Sequence, residues 1–102
     1  MLNWSQKIKL LRRLPGLNQS QFANVCDLTQ AAISQFESGQ RSPGRKSVLK
    51  IAIACEISAE VLMRNYATSK DMALAILTYR LRRSPIETVR ALENFVSIRY
   101  PQ

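Results

Sequence analysis

The stretch from Gln19 to Ser38, QSQFANVCDLTQAAISQFES, constrains the chain more than any other, because its apolar residues fit two short helices meeting at one sharp bend. Phe22 and Cys26 lie four apart on the first helix, and Ile33 and Phe36 lie three apart on the second. Leu28 sits in the turn, where it packs against both. Ala23 falls where the helices approach closely, a position that excludes larger side chains. Thr29 is placed to cap the second helix, its hydroxyl accepting a backbone N–H of the first turn. With the inward set assigned, the second helix keeps an outward face of Gln30, Ala31, Ser34 and Gln35. That face is uncharged and rich in donors and acceptors, whereas a solvated helix face ordinarily carries charged residues such as Lys and Glu.

Charge narrows what such a face meets. Fifteen Lys and Arg against seven Asp and Glu, with no His, give a formal charge of +8. The lack of His removes the commonest general base and metal ligand, so the expectation is a protein that is not an enzyme and has no metal or cofactor. A basic surplus suits a polyanion, either nucleic acid or an anionic membrane surface; solubility alone is the plainer explanation. No run approaches the roughly 18 apolar residues that span a bilayer. The opening MLNWSQKIKL carries charges and no small-residue cleavage site, so a cytoplasmic protein without a membrane partner is expected. Cys26 and Cys55 fall at interior positions and are too few for a metal site, which predicts buried, reduced thiols.

Along the chain, about Asn3 to Leu14 reads as a first helix with Trp4, Ile8 and Leu11 on one face and Lys7, Lys9 and Arg13 around it; Pro15-Gly16 ends it. Asn18, with Gln21 three residues on, is a capping box that starts the second helix at Gln19. Gly39 suits a left-handed cap after the third, before a loop from Ser38 to Gly44. A fourth helix is expected from about Arg45 to Glu56, where Leu49, Ala52 and Ile53 or Cys55 share a face. Ser58 caps a short fifth helix containing Val61 and Leu62. Beyond it, Thr68-x-x-Asp71 and Ser84-Pro85-Ile86-Glu87 start two more helices, and Pro101 stops the last.

An outward face of Gln, Ala and Ser suits reading the edges of base pairs, since a Gln amide both donates to and accepts from adenine in the major groove. The residues that carry this reading resemble the Cro and phage-repressor type of helix-turn-helix proteins, the XRE family. The resemblance runs from about Ile8 to Leu62: Ile8-x-x-Leu11-Arg12, Gly16-Leu17-Asn18-Gln19, Phe22-Ala23, Leu28-Thr29-Gln30, and Ile33-Ser34-Gln35-Phe36-Glu37-x-Gly39-x-Arg41-x-Pro43, then Ile51-Ala52. Asp27 and Glu56 stand where the family often has Gly. The resemblance implies an all-α fold with a five-helix lambda-repressor-like DNA-binding domain over residues 1–66. The two helices that the capping signals start after it make a C-terminal extension, a helical hairpin over 67–102 expected to be a dimerisation element.

It also implies roles. Gln30, Ala31, Ser34 and Gln35 would meet bases, Ala31 offering only a methyl surface to thymine. Gln19, Ser38, Gln40 and Arg41 would meet the phosphate backbone, as would Arg45 and Lys46, whose charges oppose the dipole of the helix they open unless a phosphate compensates. Arg12 and Glu37 would form a partly buried structural ion pair. For the extension, the apolar surplus of Leu74, Ile76, Leu77, Leu81, Val89, Leu92, Phe95 and Val96 suggests a homodimer, which sets two recognition helices about 34 Å apart. The function expected is a transcriptional repressor on a palindromic operator. An antitoxin of the same fold, which binds a toxin and its own promoter, is the alternative, and a helical protein-interaction module is the third reading. Expected partners are therefore double-stranded DNA, a second copy, and a protein such as a toxin or polymerase.

Overall fold

Asparagines start the first two helices, each by the same device. The computed structural model describes residues 1–83. Helix α1 (Trp4–Arg13) begins at Asn3, whose side chain accepts from the Gln6 N–H while the Gln6 side chain accepts from the Asn3 N–H. Asn18 and Gln21 repeat this box at α2 (Gln19–Val25). Two of the otherwise orphaned first-turn donors are thereby satisfied at each start. Thr29 caps α3 (Gln30–Ser38) by accepting from the Ala32 N–H, and Ser58 caps α5 (Ala59–Met63) by accepting from Val61. Between them, α4 (Arg45–Ala54) starts at Gly44 with no side-chain cap. The last described element, α6 (Ser69–Arg83), follows Thr68, whose hydroxyl accepts from the Asp71 N–H.

The stops depend on left-handed backbone. Gly39 ends α3 at φ +80°, where a glycine is at ease. Asp27, after α2, and Glu56, after α4, each adopt φ +56°. Neither is glycine, so each turn carries a steric cost, smaller for Asp than for Glu. The fourth helix accordingly stops at Ala54, two residues before its expected end, because Glu56 takes the turn conformation.

Among the described residues the fold is all-α, a five-helix domain with α6 packed against it. Ile8 and Leu11 of α1, Phe22 and Ala23 of α2, and Ile33 and Phe36 of α3 meet Ile51 and Leu62 in one core. Burying each large side chain contributes about 1.5–3 kcal/mol. Met72 and Ile76 of α6 belong to this same cluster, so it runs on past residue 66. Ile76, only 2% exposed, is thus core rather than a residue for a partner. Leu74 and Leu77, each 53% exposed, point the other way, and Leu81 is half-buried. The expected second C-terminal helix, with Val89, Leu92, Phe95 and Val96, lies outside the described residues.

Two further expectations are corrected. On α4 the inward face is Val48, Ile51, Ala52 and Cys55, while Leu49 is 46% and Ile53 77% exposed. The helix is apolar over so wide an arc that spacing alone does not select the face. Lys7 is buried rather than peripheral: its Nζ donates to the carbonyls of Leu62 at 2.9 Å and Arg64 at 2.8 Å. The ammonium also lies 4.9 Å from the Trp4 ring centroid and 5.6 Å from that of Tyr66. It closes the end of α5, where carbonyls lack helical partners, with the negative end of the helix dipole favouring a cation. Burial pushes the Lys7 ammonium pKa down.

Candidate nucleic-acid interface

The orientation of α3 follows from what it buries. Ile33 and Phe36 go into the core, Glu37 is buried beside them, and helix geometry then leaves the opposite arc to solvent. On that arc Gln30, Ala31 and Ser34 are exposed, and Gln35 is half-buried at its edge. Helix α2 crosses behind α3 through Phe22, Ala23 and Cys26, with the Leu28 N–H donating to the Ala23 carbonyl to close the turn. Lys50 braces that turn from α4, donating to the Asp27 carbonyl at 3.0 Å and pairing with its carboxylate at 3.3 Å. The uncharged face is therefore the prominent side of a helix held firmly from behind.

Glu37 is what ties α3 to α1. Its two carboxylate oxygens accept from Arg12 Nε and Nη2, each at 2.8 Å, and Arg12 Nη1 donates to the Leu17 carbonyl at 3.0 Å. Hydrogen bonding to Glu37 raises the Arg12 pKa further. Ser5 Oγ donates to the Glu37 carbonyl, a second tie between the same helices. This two-pronged pairing fixes direction as well as distance, which a lysine would not do.

The loop after α3 turns back on the helix end. Ser38 Oγ donates to the Gln35 carbonyl at 3.1 Å and accepts from the Gln40 N–H at 3.3 Å. Ser38, Gln40 and Arg41 are all exposed there. Arg45 and Lys46 are exposed in the first turn of α4, beside N–H groups that Gly44 has no side chain to satisfy. At the other end of the surface Gln19 occupies the first turn of α2, half-buried, with Asn18 committed to the cap. The dipoles of α2 and α4 add partial positive charge at these two starts.

Lys7, Lys50 and the α1 capping box are the contributors that sequence reasoning missed. Lys7 had a signal: it stands three residues after Trp4 and four before Leu11, on the apolar arc of α1, where a long aliphatic stem fits.

Two helices at a fixed turn, the second carrying an uncharged polar face flanked by cations, define a helix-turn-helix DNA-binding domain. A family model described as helix-turn-helix matches residues 8–62, just over half the chain. The chain belongs to that family, the XRE or Cro and phage-repressor type, whose members are DNA-binding transcription regulators and whose shared domain is not enzymatic. No curated protein and no solved structure matches it at a significant level. Among the described residues no helix is long and apolar enough to cross a membrane.

Proposed function

We propose that the protein is a sequence-specific repressor that occupies a palindromic operator on duplex DNA as a homodimer, in the cytoplasm or nucleoid of the cell that makes it. The observation that carries this reading is the α3 face: Gln30, Ala31 and Ser34 turned to solvent and Gln35 half-buried at their edge, with Arg41, Arg45 and Lys46 exposed on the adjoining loop and helix start. Gln and Ala provide the amide and methyl groups that distinguish base edges, while the cations supply affinity through counterion release. Gln19, Ser38 and Gln40 add neutral hydrogen bonds to the backbone and set the register.

The two-fold arrangement is supported by Leu74 and Leu77, exposed on α6 on the side away from the core. A dimer built on that face sets two α3 helices in successive major grooves about 34 Å apart. Occupancy of a promoter then excludes polymerase without any chemical step. Selection of bound duplexes from a random library tests the proposal. A palindromic consensus is expected; failure to enrich any sequence would instead favour a helical protein-interaction module.

A further inference from the structure

Arg41 is tied to the end of α3 at three points. Its backbone N–H donates to the Gln35 carbonyl at 3.2 Å, its guanidinium carbon lies 5.4 Å from the Phe36 ring centroid, and its Nη1 donates to Gln35 Oε1 at 3.2 Å. The last contact fixes which way the Gln35 amide is turned. A guanidinium carries donors only, so the amide atom it meets is the oxygen; the reversed amide would set an NH2 group against an N–H. With the oxygen turned toward Arg41, the NH2 is the end left to face a groove. Gln30, exposed at the start of α3, has no such partner among the described residues.

This difference matters to what each glutamine reads. A Gln that pairs with adenine in the two-pronged way needs its oxygen and its NH2 on the same base edge. Gln35, with one lone pair of its oxygen taken by Arg41, offers two hydrogens against a single remaining lone pair and so is weighted toward donation. Guanine, with N7 and O6 side by side, matches a pure donor; adenine offers N7 beside a competing N6 donor. We infer that Arg41 is a positioning residue for base recognition, holding Gln35 as a hydrogen-bond donor that selects guanine over adenine at the base pair it faces. Arg41 uses one of its five N–H groups on Gln35, which leaves others for a phosphate. The inference rests on the DNA-reading function proposed above and specifies its chemistry.

The test uses the duplex enriched by the full-length wild type, with all four bases substituted at each position. Relative affinities are measured by competition for wild type, Arg41→Ala, Gln35→Ala and the double variant. At one position wild type is expected to favour guanine over adenine by roughly fivefold to a hundredfold. Arg41→Ala is expected to weaken binding overall and to erase that preference at that position alone. In the Gln35→Ala background, adding Arg41→Ala is expected to weaken binding without altering the base profile. If Arg41→Ala lowers affinity equally on every duplex and leaves the profile intact, Arg41 is only a phosphate contact and the inference is wrong. If it reshapes the profile just as much without Gln35, it does not act through that residue. Failure of the wild type to enrich any duplex would overturn the DNA-reading function itself, a different result from an unchanged profile.

Discussion

Arg12 and Glu37, twenty-five residues apart in sequence, meet through two parallel hydrogen bonds of 2.8 Å and so fix α3 against α1. The carboxylate is the more enclosed partner, its side chain 4% exposed against 16% for the guanidinium. Losing one partner strands the other charge away from water. Arg12→Ala is therefore expected to cost about 3–5 kcal/mol in urea unfolding. The Arg12→Met, Glu37→Leu pair should cost less than Arg12→Ala alone, because it leaves no charge behind. An equal or greater loss in the double variant would mean that the pair contributes more than mutual compensation.

The buried thiols give a pH dependence with a definite sign. Burial pushes Cys26 up from 9.0 to about 12 and Cys55 up to about 11, and Tyr66 is raised by the same cause. Groups whose pKa is raised by folding hold more protons in the native state, so their stabilisation is whole below about pH 9 and drains away as pH climbs toward 11 to 12. Lys7, lowered by burial, acts oppositely just below its ordinary 10.5, but it is one group against three. Urea midpoints should fall from pH 8.5 upward, and at pH 8 a thiol reagent should modify the cysteines only as fast as the protein opens. Rapid labelling of the folded protein would contradict the burial of these thiols.

Adjacent positions on α6 separate core from surface. Ile76→Glu places a charge in the shared core and is expected to unfold the domain, whereas Leu74→Glu with Leu77→Glu should leave thermal stability nearly unchanged. If the homodimer uses the outer face of α6, that double variant sediments as a monomer at concentrations where the wild type is dimeric. Truncation after Thr68 removes Met72 and Ile76 along with α6, and each lost core side chain costs about 2–5 kcal/mol. A fragment that stayed as stable as the full chain would contradict the packing of α6 into the core.

What the sequence made legible was local. Capping residues Asn18 with Gln21, Thr29 and Ser58 located three helix starts, because a cap depends on residues within one turn. The exposed arc of α3 was legible too, since Ile33 and Phe36 admit one inward direction. Long-range choices were not. Leu49 and Ile53 form as good a stripe as Val48 and Ala52, and only the packing of other elements against α4, α5 among them, decides between them. Lys7 reads as surface by charge; its burial depends on carbonyls of Leu62 and Arg64 more than fifty residues away. The turn of the Gln35 amide depends on Arg41 across a loop, a relation that spacing along α3 does not contain.

Phosphate contacts leave a signature in salt. Arg45→Ala and Lys46→Ala should each weaken binding on every duplex to a similar degree and reduce the slope of log affinity against log salt by about 0.9. Titrations at several salt concentrations on the selected and a scrambled duplex measure this. An unchanged slope would remove the residue concerned from the backbone contacts.

The most direct measurement is the affinity of wild type and Gln30→Ala for the selected duplex and for a scrambled one, at a single salt concentration. Gln30 is exposed at the start of α3, so its loss should spare the fold. The account predicts a loss of about 1–3 kcal/mol on the selected duplex and almost none on the scrambled one. Equal loss on both, or no loss on either, would contradict the claim that this helix face reads base edges.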